Sequence, residues 1–183
     1  MNISTRPATQ ADLAALCELN RDVQAVHHTA LPWLFKPPLD KHEAGGGSAY
    51  FAALIAHINS RIIIALFGEK SVGYVYFEIR ERAETELTYA HRSLLIHHIS
   101  IKPEFQRSGI GRALMAAVDS IACELNTAMV QVDFWNFNDG ARAFYKGLGF
   151  SPCNERYWRL RQPASTKYNP DRPTGCYASS KDE

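Results

Sequence analysis

The sequence has few cysteines, no long apolar run and almost no net charge, and each shortage closes off a class of protein. Cys17, Cys123, Cys153 and Cys176 are widely dispersed with no C-x-x-C pair. They read as reduced thiols, and neither a disulfide framework nor a zinc site is expected. No stretch approaches the ~18 consecutive apolar residues of a membrane-spanning helix, and the N-terminus lacks the apolar core of a signal peptide. With 20 basic and 19 acidic residues, the net charge is +1. That balance supplies no bulk attraction for nucleic acid or for a membrane surface. Internal repeats are absent too. What is present is a chain of 183 residues, 46% hydrophobic and 21% charged, enough for one compact domain expected in the cytoplasm.

The most informative stretch is Gln106-Arg107-Ser108-Gly109-Ile110-Gly111. Upstream, residues 92–101 read as a buried strand that Lys102-Pro103 ends. Downstream, Ile110, Leu114, Val118, Ile121 and Leu125 recur at helical spacing. A glycine loop opening a helix leaves backbone N–H groups unpaired beside the positive end of the helix dipole, and that arrangement binds phosphate. Arg107 and Arg112 add charge suited to a polyanion. The Walker pattern is absent. A dinucleotide fingerprint comes closer, with Asp133 about twenty residues further on, but Leu114 stands where that motif needs Gly or Ala. The first glycine also lies too far beyond the strand for its direct strand-to-helix turn.

Gln106-x-x-Gly109-x-Gly111 resembles the Q/R-x-x-G-x-G/A motif of the GCN5-related N-acetyltransferase (GNAT) superfamily. A second element, Asn138-x-x-Ala141-x-x-Phe144-Tyr145-x-x-Leu148-Gly149-Phe150, is similar to the family's N-x-x-A-x-x-F-Y-x-x-x-G-F pattern. The opening Thr5-Arg6-Pro7-Ala8-Thr9-x-x-Asp12 is also frequent there. The resemblance covers about residues 2–161, so residues 1–161 are expected to form the acyltransferase domain and 162–183 an unstructured tail. That tail holds three prolines and little apolar periodicity.

Pattern alone predicts a first strand at Ile3 to Arg6 and a helix over 10–27, capped by Thr9 with Asp12 in a box-like arrangement. A loop rich in Pro and Gly follows, then a helix over 49–59. A hairpin of strands spans 61–67 and 72–80, and further strands are expected at 92–101, 128–134, 150–153 and 156–160. Helices are expected after the glycine loop and over 139–147. The sum is an α/β fold with helices on both faces of a mixed sheet. The resemblance implies a mostly antiparallel sheet of about six or seven strands. It also implies that the central strands at 92–101 and 128–134 splay apart around the pantetheine arm.

The resemblance further implies transfer of an acetyl group from acetyl-CoA, as cosubstrate, to an amine of a small molecule or peptide. The alternative is a non-catalytic module that binds acyl-CoA. Residues 106–111 would hold the pyrophosphate together with Arg112. The main chain of Ile99, Ser100 and Ile101 would line the pantetheine arm, and Asn138, Phe144 and Tyr145 would complete the cofactor site. An aliphatic amine with pKa near ~10 is less than about one part in a thousand neutral at pH 7, so a proton acceptor is needed. His97 and His98 are the candidates. Alternation along a strand directs at most one of them to the substrate, and the family places a base or water-holding residue at the position of His97. Tyr145 matches the family tyrosine that protonates the leaving sulfur, and Ile99 the backbone N–H that meets the oxyanion. Asn138 either contacts pantetheine or caps its helix. Trp33 and Phe35 lie in the segment that shapes the acceptor pocket in the family. Many family members pair as homodimers, and nothing in the sequence fixes that here.

Overall fold

The computed structural model describes residues 3–38 and 47–160. The glycines at 45–46 and the tail from 161 onward lie outside the described residues. The described chain forms strands β1 (Ile3–Pro7), β2 (Ser60–Phe67), β3 (Lys70–Arg82), β4 (His91–Ile101) and β5 (Val130–Val132). Helices α1 (Leu13–Ala30), α2 (Ser48–Ala56), α3 (Ile110–Glu124) and α4 (Asp139–Lys146) connect or flank them. The strands lie in sequence order in one sheet, with three antiparallel pairings followed by a parallel pairing of β4 with β5. The parallel step follows from the chain's route, since α3 crosses the sheet between these two strands.

β2 and β3 form the predicted hairpin, turning through Gly68-Glu69, where Gly68 has φ 61°. A two-residue turn of this kind needs positive φ, which glycine supplies without steric cost. The apolar runs of these strands bury both faces. Ile63, Ala65, Val75, Phe77 and Ile79 pack with Leu114, Met115 and Val118 of α3. Ile62, Ile64, Tyr74 and Tyr76 pack with Leu16 and Leu19 of α1 and Phe51 of α2. Tyr74 is fully buried, and its hydroxyl donates to Asn20 Oδ1 at 2.8 Å, so its polar end is satisfied.

The junction of β1 and α1 is pinned electrostatically. Asp12 accepts two hydrogen bonds from the Arg6 guanidinium, each 2.8 Å, and one from the Thr9 N–H, also 2.8 Å. The Arg6 bonds chiefly hold its carboxyl down to about 2. Residues 10–12 form a 3₁₀ turn before α1, so the first predicted helix is two elements. No described helix is long and apolar enough to cross a membrane.

The sheet departs from the expected six or seven strands. Five form among the described residues, because residues 150–160 make no ladder. Pro152 lacks an N–H, its neighbours are polar and exposed, and β5 offers only three residues of edge to pair with. β5 is itself shorter than the predicted 128–134. It pairs only along Leu94–Ile96, beyond which β4 no longer accompanies it.

Candidate active site

Leu94 and Ile96 of β4 belong to the core beneath α3, and alternation would put residues 98 and 100 there as well. Instead Ile99 and Ile101 pack into that core, while Ser100 donates from Oγ to Leu19 O of α1 at 2.7 Å. The cause is a bulge. Tyr76 pairs with His98 and Phe77 with Ile96, so His97 is a surplus residue on β4. The bulge suspends the strand alternation that would send the two side chains to opposite faces. His97 stacks on Tyr76 at 5.0 Å between ring centroids, and His98 meets the same ring edge-on at 5.8 Å. Both imidazoles therefore lie on the face covered by α1 and α2.

The bulge also re-aims the main chain. Leu94 N–H bonds toward the β5 side, to Met129 O, whereas Lys102 N–H bonds to Val72 O on β3. Counting back from Lys102, Ile101 and Ile99 turn their peptide groups away from β3. On that side β5 has ended, so β4 has an unpaired edge from residue 97 onward among the described residues. Gln106 Nε2 reaches back to Ile101 O at 3.3 Å. Ser100 is directed elsewhere, with its side chain under α1 and its peptide toward β3.

The glycine loop continues from this edge. Arg107 and Gly109 both have positive φ, 62° and 92°. Such alternation turns successive N–H groups toward one concavity. Among the described residues, no protein acceptor meets the backbone N–H groups of residues 107–112, whereas that of Ala113 bonds to Gly109 O. A Cβ at Gly109 would meet nothing within 4 Å, so dihedral freedom rather than crowding calls for glycine there. Gly111 differs. Its Cβ would stand 3.0 Å from the Phe144 ring, so α3 and α4 touch through the absent side chain.

α4 carries the second motif. Asn138 Oδ1 accepts from Ala141 N–H at 3.0 Å, which makes Asn138 the helix cap. Tyr145 is buried in the α3-side core against Phe134, Phe144 and Phe150, with ring centroids 5.1–5.8 Å away. Burial pushes its phenol pKa up. Its hydroxyl makes no hydrogen bond among the described residues.

The two histidines differ electrically. Burial lowers His98 to about 4, with smaller contributions from His97 and His27, and its Nδ1 is buried without a hydrogen-bond partner among the described residues. His97 is partly open, and its Nε2 lies 3.4 Å from Glu78 Oε2. Arg80 Nε donates to the same oxygen at 3.0 Å and is the chief cause holding the Glu78 carboxyl below its usual range. Glu78 and Arg80 carry no sequence motif. Only the register of β3 against the bulge brings them to His97.

Trp33 and Phe35 join a row of rings. Phe35 stacks on His27 at 4.8 Å and meets Trp135 edge-on at 5.3 Å. Trp158 lies 5.4 Å from Trp135 and 5.5 Å from Trp33, and Phe137 approaches His27 at 6.0 Å. Sequence spacing could not assemble this row, because its members come from four separate segments.

Residues 58–152 match the family described as the acetyltransferase (GNAT) domain. The fold is similar to that of a tetramutant of the BH1408 protein from Bacillus halodurans, with TM-score 0.77 and 21% identity, covering 88% of this chain and 100% of that one. It is also similar to a transcriptional regulator from Bacillus halodurans C-125, with TM-score 0.70 and 20% identity over 87% and 100% of the two chains. A third likeness is to the aminoglycoside N-acetyltransferase AAC(6')-Iy, solved with the bisubstrate analogue CoA-S-monomethyl-acetylneamine. Its TM-score is 0.67 and its identity 14%, over 89% and 100% of the chains.

Proposed function

Because this chain belongs to the acetyltransferase (GNAT) domain family, we propose that it transfers an acetyl group from acetyl-CoA to a primary amine by direct attack in a ternary complex. One observation carries the reading. The bulge at His97 sets two imidazoles beside an unpaired strand edge that runs into a loop of unpaired N–H groups.

The N–H groups of residues 107–112, at the positive end of α3 and beside Arg107 and Arg112, suit a pyrophosphate. The outward peptides of Ile99 and Ile101 suit the amides of a pantetheine arm, which would lie along β4 as a missing strand does. Phe144 walls the loop, and Asn138 serves the site by fixing α4. Acetyl-CoA supplies the activated carbonyl. The amine nitrogen forms a bond to that carbon as the C–S bond breaks, and the protein handles one proton at each end.

His97 accepts the proton of the amine, directly or through water. It is the better base of the pair, since an imidazole with pKa about 4 binds a proton too weakly to draw one from an ammonium. Glu78 is a positioning residue that orients His97 and stabilises its imidazolium, while Arg80 fixes the carboxylate. The N–H of Ile99 faces the carbonyl oxygen as charge gathers there. Tyr145, kept protonated by its burial, gives the departing sulfur its proton.

Thiol release from acetyl-CoA across a broad amine panel tests the assignment. Turnover is expected, with Tyr145→Phe and His97→Ala each lowering kcat about 10²-fold or more while the Kd for CoA changes little. Tight CoA binding without turnover of any amine would make the chain a binding module instead.

A further inference from the structure

Arg80 has more bonding capacity than its contact with Glu78 uses. Tyr76 packs toward α1 and α2, whereas Phe77 and Ile79 pack toward α3. Alternation along β3 therefore sets Glu78 and Arg80 on the face of Tyr76, where His97 stacks. The side chains of His97 and Glu78 are each 30% exposed and that of Arg80 38%, so the three form a strip open to solvent.

Arg80 meets Glu78 through Nε alone, at 3.0 Å. The side-on fork, in which Nε and a terminal nitrogen hold both carboxylate oxygens, is not formed. A guanidinium carries N–H donors on all three nitrogens. Those on the terminal nitrogens of Arg80 have no hydrogen-bond or ion-pair partner among the described residues. Steadying one carboxylate leaves them unused, and an ion pair this exposed stabilises the strand little. The free edge of the guanidinium fits a second, planar oxyanion.

Distance limits what could carry that anion. His97 Nε2 and Arg80 Nε converge on the same Glu78 oxygen, at 3.4 and 3.0 Å. A molecule that touched both the imidazole and the guanidinium would need its nitrogen and its anion close together. A carboxylate on the amine-bearing carbon meets this need, because its oxygens stand three bonds of about 1.2–1.5 Å from the nitrogen. The charges also alternate, with the acceptor's ammonium facing Glu78 and its carboxylate facing Arg80. A polyamine would instead bring further positive charge against the guanidinium.

We propose that the acceptor is an α-amino acid, its carboxylate held by the terminal nitrogens of Arg80 and its amino group beside Glu78 and His97. The inference rests on the acetyltransferase reading above and keeps its chemistry. One N–C bond forms, one C–S bond breaks, and the amine proton leaves through His97.

Thiol release with acetyl-CoA should be compared for the common amino acids, each beside its own carboxamide, with spermidine and kanamycin as polycations. At least one amino acid is expected to exceed its amide and both polycations in kcat/KM by about tenfold or more. Arg80→Leu should bring that acid-to-amide ratio down to about one through a rise in KM for the acid. Arg80→Lys should restore part of it, because a point charge replaces the fork. The ratio separates contact from support: if Arg80 acts only by steadying Glu78, acid and amide lose alike and the ratio survives. A surviving ratio, or an amide or polycation as the better substrate, overturns the amino-acid assignment and leaves the acetyltransferase standing. If no amine releases thiol although calorimetry shows acetyl-CoA bound, both readings fall together.

Discussion

His97 and His98 are neighbours with opposite prospects, and the difference lies in what surrounds each ring. His98 is enclosed by Tyr50, Tyr76 and the neighbouring strand, so ionising it would bury a charge with no counter-ion. Its folded-state pKa, about 4, lies below the 6.5 of a free imidazole. The unfolded chain therefore binds the proton first as pH falls. The stability that His98 contributes is complete above pH 6.5 and is lost progressively toward pH 4. In an NMR titration its ring signals should hold their neutral positions until about pH 4, and His98→Phe should flatten the acid slope of the stability curve. A midpoint near 6.5 would mean that the ring is solvated. Residue pattern named the pair and the family resemblance favoured His97, but the bulge that brings both rings to one face was not legible, because alternation was the available rule and a surplus residue suspends it.

At the scale of elements, contacts made by single residues join pieces that the motifs show separately. Asp12 ties β1 to the start of α1 through Arg6 and Thr9. Asp12→Asn should cost about 1–2 kcal/mol of unfolding free energy at pH 7, read by urea titration. The cost should shrink as pH falls from about 4 toward 2, because the native carboxylate then takes up its own proton. Gly111 joins α3 to α4. A methyl there must displace the Phe144 ring, so Gly111→Ala should weaken CoA binding and lower the thermal midpoint by several degrees, consistent with the usual cost of overpacking. Retained affinity would show that the two helices do not need this approach. Helices and long strands were legible because each has an apolar period and a punctuated end, and the caps at Thr9 and Asn138 were readable from residue type. The strands expected over 150–160 were not real, since β propensity there had no partner edge to pair with. Glu78 and Arg80 were invisible for a different reason: their role depends on cross-strand register, which a linear pattern does not carry.

For the whole molecule, the sheet should be stable unevenly. β3 is paired on both sides and covered on both faces, whereas β5 contributes three residues and β1 forms the opposite edge. Amide hydrogen exchange should be slowest in β3, intermediate in β2 and most of β4, and fastest in β5 and at Ile99 and Ile101 of β4. Adding CoA should slow exchange at Ile99 and Ile101 selectively. Uniform protection along β4 without CoA would contradict the open edge. The surplus residue at His97 has one more implication. Removing position 97 would bring Ile96 and His98 into direct succession opposite Phe77 and Tyr76, so the ladder to β3 would close without a bulge. Ile99, Ser100 and Ile101 would keep their present partners and directions, and one imidazole would be lost. The position proposed to carry the base is thus the one that the strand's pairing does not need, and a single-codon deletion would excise it while leaving the rest of β4 in place.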